Sequence, residues 1–308
     1  MPIGTSAWMV SLHGGHSSEF CDHAHSPLRE MLEAAVQAGY HTFGVTEHAP
    51  RVEARFLYPN EIALGWDVPK IIADFERYAQ TLPALVEEFA SRLVVLRGFE
   101  IEVVPAASYV QLMQEYRQRY QFEYIVGSVH YVDEISIDGS VEDFQRAMET
   151  AGGLESLAVR YYRTVAQMVE ALRPEVVAHL DLIKLHGHRF GSCDTPMIRR
   201  AVEEALEAIR ERDGIIEVNT AGYRKGLGEP YPASWLVQMA HRMGIGFCFG
   251  DDSHRVEQVG FGIEAAREHL LRSGVHSVTV LTREGAELVR QVVPLETSKF
   301  ARGSETNA

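Results

Sequence analysis

The chain has 308 residues, 46% of them hydrophobic and 23% charged, which excludes a disordered or collagen-like polymer. Lys and Arg total 29 against 43 Asp and Glu, a net charge of −14, so neither a nucleic acid polymer nor an anionic membrane is an expected partner, while a local basic pocket for one phosphate stays compatible. Three widely spaced cysteines (Cys21, Cys193, Cys248), no Cys-x-x-Cys pair, no secretory start and no apolar run of roughly 18 residues predict a cytoplasmic, reducing setting.

Short apolar runs alternate with longer helical patterns. The first run is WMVSLH at 8–13. A helix is expected over 26–39, with Ser26 as N-cap, Pro27 behind it and Gly39 as the stop. TFGVTEH at 42–48 is the second run, and 51–75 then reads as a long loop carrying Phe56, Tyr58 and Trp66, either a lid or a surface elaboration. LVVLRGFE at 93–100 is followed by another long connection at 103–123. YIVGSVH at 124–130 and VVAHLD at 176–181 come next, then a helix entered at Asp194 or Thr195 with Pro196 at its start. IIEVNT at 215–220 and GFCFGDD at 246–252 complete seven runs. HSVTVL at 276–281 reads as an extra strand or a cap, and 299–308 as a frayed tail.

Continuous apolar runs separated by helices imply a parallel sheet. Seven such units without a linker predict one closed α/β barrel over residues 1–298. An open doubly wound sheet would call for a Gly-x-Gly-x-x-Gly fingerprint, which is absent.

Each run ends in polar residues: His13 with His16 and His23 beyond, Glu47 and His48, Glu100, His130, His179 and Asp181, Asn219 and Thr220, and Asp251, Asp252 and His254. Parallel strands would gather all of these at one rim, the C-terminal face where barrel enzymes hold their chemistry. A lone strand-end histidine is more often a cap than a ligand, but seven of the fourteen histidines fall at these places. Imidazole and carboxylate without thiolate suit Zn²⁺, Mn²⁺ or Fe²⁺. Nine candidate ligands exceed what one ion uses, so two to three divalent ions are expected, with Glu100 as the natural bridge. Such a site suits hydrolysis of a phosphate ester.

The strings HGGHSSEFCDHA, VTEHAP, RGFEIE, VGSVH, VAHLDLIK, EVNTAGYRKGLGEPYP and GDDSH, in this order, resemble the polymerase-and-histidinol-phosphatase (PHP) superfamily, and within it the monofunctional histidinol-phosphate phosphatases. The resemblance runs from about residue 10 to residue 260. It implies a distorted seven-stranded TIM-like barrel with three metals: His13, His16, Glu100 and Asp252 on one, Glu100, His130 and His179 on the second, and His23, His48 and His254 on the third. Glu100, Asp252 and His254 would then be catalytic. Two departures stand out. The family opens with His-x-His, whereas two residues separate His13 from His16, and the acidic residue usual before the first His is replaced by Ser11 and Leu12.

Arg224 and Lys225, after the sixth run, and Arg255, beside His254, are candidate phosphate contacts. Asn219 would orient substrate or a ligand, or satisfy the strand end. The expected reaction is hydrolysis of L-histidinol phosphate by a metal-bridging hydroxide, with Asp181 as an acid for the leaving group and Glu47, Glu102 or Glu229 as an acidic pocket for the substrate's cation. The competing readings are a phosphoesterase acting on a nucleotide or other small ester, a non-catalytic module on the same barrel, and a metal-dependent amidohydrolase. The last commonly carries a lysine where the fourth run here ends in His130. The expected partner is a small phosphorylated substrate, and the sequence bears no mark of an oligomeric state.

Overall fold

Among the described residues eleven strands follow one another: β1 (Val10–Ser11), β2 (Thr42–Val45), β3 (Val94–Glu100), β4 (Tyr124–Gly127), β5 (Tyr131–Val132), β6 (Ile135–Ser136), β7 (Val176–Val177), β8 (Ile215–Asn219), β9 (Phe247–Gly250), β10 (Ser277–Glu284) and β11 (Glu287–Pro294). They come from a computed structural model that describes residues 7–285 and 287–295; the tail expected at 299–308 lies outside the described residues. Seven strands pair in parallel and close in the order β1-β2-β3-β4-β7-β8-β9, with Ser11 of β1 against Phe249 of β9. The expected seven-stranded barrel is the observed one. It is distorted because β1 and β7 hold only two residues each, so the chain leaves the ladder well before the polar ends of those runs.

Helices cover the outside. Leu28–Ala38 ends at Gly39, whose φ of 84° lets its N–H reach back to Ala35 and Val36. Its start differs from expectation. Ser26 does not cap it; the Ser26 hydroxyl accepts from Val256 N (3.1 Å), and Glu19 takes the free N–H of Leu28 at 2.7 Å. Pro196–Glu211 begins as expected, with the Thr195 hydroxyl accepting from Ile198 N.

The two long connections are not bare loops. Residues 51–75 contain a single turn at Ala54–Phe56, a short helix at Pro59–Ala63 and the start of the helix Val68–Phe89. Residues 103–123 contain the helix Tyr109–Tyr120. Among the described residues no helix is long and apolar enough to cross a membrane.

The late run at 276–281 becomes a cap. β10 and β11 form a separate antiparallel hairpin. Thr282 meets Thr42 at the start of β2 (3.2 Å), Arg283 pairs with Glu123 just before β4 (2.7 Å), and Thr279 abuts Gly246 just before β9. All three contacts lie at the N-terminal ends of barrel strands. The hairpin therefore seals the foot of the barrel and leaves the opposite rim open.

Inside, the fully buried Tyr124 of β4 reaches across to donate its hydroxyl to the Leu12 carbonyl at 2.7 Å. Gly44 makes room for it, since a Cβ there would stand 1.9 Å from the Tyr124 oxygen. This brace lies directly beneath the loop that carries His13. Tyr124→Phe should leave that carbonyl without its buried donor and lower unfolding stability by about 1–2 kcal/mol, seen as a shifted urea midpoint at unchanged slope.

Candidate metal centre

The rim gathers its side chains as parallel strands dictate. Glu100 is the last residue of β3, His13 and His179 stand two past β1 and β7, His48 and His130 stand three past β2 and β4, and Asp252 and His254 follow β9. Glu100 sits at the middle. Its Oε2 lies 3.4 Å from Nε2 of both His13 and His16 and 3.0 Å from Nδ1 of His48. Its Oε1 lies 3.4 Å from His130 Nε2 and 3.1 Å from His179 Nε2, and accepts from Ser128 Oγ at 2.6 Å. Asp252 Oδ1 is 4.0 Å from His13 Nε2, 3.5 Å from His16 Nε2 and 3.9 Å from His254 Nδ1. His23 joins from the first loop, its ring 4.7 Å from that of His254 and 5.6 Å from that of His48. All nine residues expected as ligands therefore meet at one place.

The widened His13–His16 spacing is accommodated by a bulge. Gly14 N donates to Gly44 O and His16 N to Ser253 O, both at 2.8 Å. Gly15 takes φ 124°, and a Cβ there would stand 2.0 Å from the Ser253 carbonyl oxygen, so this turn requires glycine. His179 (φ 26°) and Asp252 (φ 50°) also adopt left-handed backbone, a strain that recurs at functional sites.

The electrostatics favour positive charge at this rim, on imidazole or as a bound cation. Burial alone would raise the Glu100 carboxyl, but His13, His48 and His130 outweigh it and hold it well below the usual carboxylate range. Asp252 is lowered in the same way, with His16 and His13 overcoming its burial. Burial and the neighbouring His16 push His48 and His254 well below the ordinary imidazole range. His13 is driven the other way, to about 10, because Glu217 and Glu100 outweigh its burial. Both ring nitrogens of His13 and His16, together with Glu100 Oε2 and His48 Nδ1, are buried without a well-formed hydrogen bond. Crowded imidazoles that cannot all hold protons, beside carboxylates that stay ionised, form a donor set that fits divalent cations. The donor atoms fall into groups each spanning no more than 4.8 Å: His13, His16 and Glu100; His16, Asp252 and His254; His48, Glu100 and His130; and Cys21, His23, His48 and His254.

The last group corrects the expectation of a site without thiol, for Cys21 Sγ is 3.3 Å from His23 Nδ1. Sequence reasoning also missed Glu217. Fully buried in β8, it places Oε1 3.0 Å from His13 Nδ1, accepts from His179 N at 2.8 Å and receives two of the three contacts of the Asn219 amide. A Cβ at Gly250 would fall 1.6 Å from its Oε1, so the neighbouring strand is hollowed for it. A lone glutamate two positions before Asn219 in an apolar strand points to the same barrel interior, and that is the signal that marks it.

Several expected roles are corrected. Asn219 is fully buried, spends its amide on Glu217 and Asp252 (3.3 Å) and its oxygen on Ala221 N, and so positions a ligand rather than touching substrate. Asp181 is held by Lys184 (3.0 Å) and Ala233 N (2.9 Å) and does not line the cavity, so it is not placed to protonate a leaving group. The three acids expected to hold a substrate cation do not line the cavity either. Glu47 accepts from Ser17 N and faces His16 Nδ1 (3.5 Å), Glu102 faces His130 Nδ1 (3.2 Å), and Glu229 pairs with Lys184 (3.0 Å).

Above the rim lies a cavity of about 860 Å³. Arg224, Lys225 and Arg255 all line it. Arg224 also donates to the carbonyls of Asp251 (2.8 Å) and Asp252 (2.7 Å), which fixes the turn carrying Asp252.

The PHP domain family profile matches residues 13–221. A Schizosaccharomyces pombe protein named "Probable histidinol-phosphatase" is 31% identical over 282 residues, 89% of this chain and 90% of its own. The histidinol-phosphatase of Saccharomyces cerevisiae is 29% identical over 294 residues, 84% of this chain and 87% of its own. The crystal structure of a histidinol phosphate phosphatase from Lactococcus lactis, complexed with zinc, L-histidinol and phosphate, has the same fold, with a TM-score of 0.69 at 21% identity over 92% of this chain and 99% of that one.

The outer acids give the centre a test of its own. Glu217→Gln keeps the shape but removes the charge beside His13, and carboxylate support of this kind is worth about 10–100-fold in metal affinity. Competition against a chromogenic chelator should show that loss.

Proposed function

We propose that this chain, which belongs to the PHP domain family, is a metal-dependent phosphomonoesterase that hydrolyses L-histidinol phosphate to L-histidinol and phosphate. The observation that carries the reading is Glu100, whose two oxygens face two separate sets of imidazoles. A shared carboxylate is what neighbouring cations need. We assign His13, His16, Glu100 and Asp252 to one ion, Glu100, His130 and His179 to a second, and His23, His48 and His254 to a third. Zinc, manganese and iron all suit this donor set. All nine donor positions are filled, which favours an enzyme over a binding module that has lost its chemistry.

Divalent ions held there supply Lewis-acid stabilisation of the phosphoryl oxygens and make water nucleophilic near neutral pH. The chain's own residues do the rest. Glu217 turns His13 so that its Nε2 faces Glu100, Glu102 does the same for His130, and Asp22, 3.0 Å from His23 Nδ1, holds His23 beside His48 and His254. Lys225 and Arg255 meet the phosphate as cations in the cavity wall, with the free side of Arg224 beside them. With Asp181 turned away, the leaving alkoxide takes its proton from water in the open cavity.

The decisive experiment is phosphate release from L-histidinol phosphate against a panel of other monoesters, using protein purified without chelator and analysed for bound metal. Strong preference for L-histidinol phosphate with two to three ions bound is expected. Bound metal with turnover only of other esters would leave the chemistry and overturn the substrate. Chelation should abolish activity and metal should restore it. His130→Ala should cost more than about 100-fold in kcat/KM while circular dichroism stays unchanged.

A further inference from the structure

The cavity is polarised, and its far wall holds a carboxylate that the reaction does not use. Six carboxylates line the cavity: Asp22, Glu100, Glu134, Asp138, Asp143 and Asp252. Glu100 and Asp252 belong to the metal centre. Asp22 faces His23, Glu134 pairs with Arg55 (2.6 Å) and Asp143 with Arg146 (2.8 Å). Among the described residues Asp138 makes no ion pair within 4.0 Å; its one hydrogen bond is from Ser136 Oγ, at 3.3 Å. A half-buried carboxylate without a cation is costly unless a cation arrives with the ligand.

The surroundings of Asp138 favour such a cation. Tyr58, Tyr131 and Tyr231 line the same cavity. Ser136, which donates to Asp138, pairs with Tyr131 across the β5–β6 hairpin, and this sets the carboxylate near the Tyr131 end of the cavity. Tyr231 is 1% exposed, yet its hydroxyl has no hydrogen-bond partner. Aromatic faces beside a carboxylate attract an ammonium or imidazolium group. The position of the wall is equally telling. Asp138 follows β6 in the excursion that leaves β4, whereas Arg224 and Lys225 follow β8 and Arg255 follows β9. β8 and β9 lie two and three strands round the barrel from β4. Asp138 therefore stands across the metal centre from Arg224, Lys225 and Arg255, while Tyr231, in the β8–β9 connection, belongs to the side of the arginines.

We propose that Asp138, on the β5–β6 hairpin that carries Tyr131, is the specificity residue that selects phosphomonoesters carrying a positively charged group. This rests on the phosphatase reading and names the half of the substrate that reading leaves open. The phosphate is held at the β8–β9 side and the cation at Asp138, so an ester with no cation leaves the carboxylate unpaired.

The test compares cationic esters (L-histidinol phosphate, O-phosphoethanolamine) with neutral ones (p-nitrophenyl phosphate, glycerol phosphate) in the metal-loaded enzyme. Asp138→Asn should shrink the preference for cationic over neutral esters about 10–100-fold, mainly through KM, and weaken competitive inhibition by L-histidinol by a similar factor. Asp138→Glu, which keeps the charge, should recover part of the preference. An equal loss on both ester classes, or an unchanged ratio, overturns the assignment. Should the wild-type protein release phosphate from no ester, the phosphatase reading itself fails. L-Histidinol binding to the metal-loaded protein, followed by calorimetry, then decides: weaker binding to Asp138→Asn supports the cation site, and equal binding overturns it.

Discussion

The structure turns on one carboxylate. Glu100 is 1% exposed, ends the longest barrel strand and lies within 3.4 Å of five imidazoles. An ionised group taken that far from water is costly unless it is paired, and among the described residues no Lys or Arg pairs with it. The counter-charge has to come from protons on histidines or from metal ions. Behind the histidines stand further buried acids, Glu47, Glu102 and Glu217, each turned to an imidazole. Closing the barrel concentrates negative charge, and the cations that neutralise it are the ones that can do chemistry. Fold and cofactor thus depend on each other, because a rim this acidic stays compact most readily with its ions in place.

Much of this could be read from the sequence because one rule applies to every strand. When seven strands run the same way, the residue just past each one reaches the same rim, so His13, His48, Glu100, His130, His179, Asp252 and His254 could be grouped before any coordinates. The rule fails inside strands and inside loops. Glu217 lies within an apolar run, and only the alternation of side chains about β8 shows that it points inward with Asn219. Glu47 sits next to His48 and so reads as substrate-facing, but neighbouring residues in an extended chain face opposite ways, while Glu102, two past Glu100, is taken up by His130. The helix Val68–Phe89 carries Pro83 in its interior, which weakens the local signal that burial of one face then overrides, while Pro69 stands in its first turn, where proline is accepted.

The cavity has a division of labour that follows from connectivity. The connections after β8 and β9 bring Arg224, Lys225 and Arg255, while the excursion after β4, with its β5–β6 hairpin, brings Tyr131 and Asp138. The proposed metal ligands come from six of the seven barrel strands and the segments that follow them, all but β8. The two walls rest on separate loops, so the nature of the substrate's far end can change without disturbing the centre. Such separation of binding from chemistry is how barrel folds reach different substrates with one reaction.

The closing seam of the barrel, where Ser11 meets Phe249, sets the order in which the chain can become an enzyme. A chain emerging from synthesis presents His13, His16, Cys21 and His23 first and Asp252 and His254 last. Two of the three proposed metal sets wait for that final segment, and the seam cannot pair before β9 exists. A half-made or clipped chain therefore holds some donors but no finished centre. Competence arrives in one step, late, and reports that the polypeptide is intact from its first strand to its ninth.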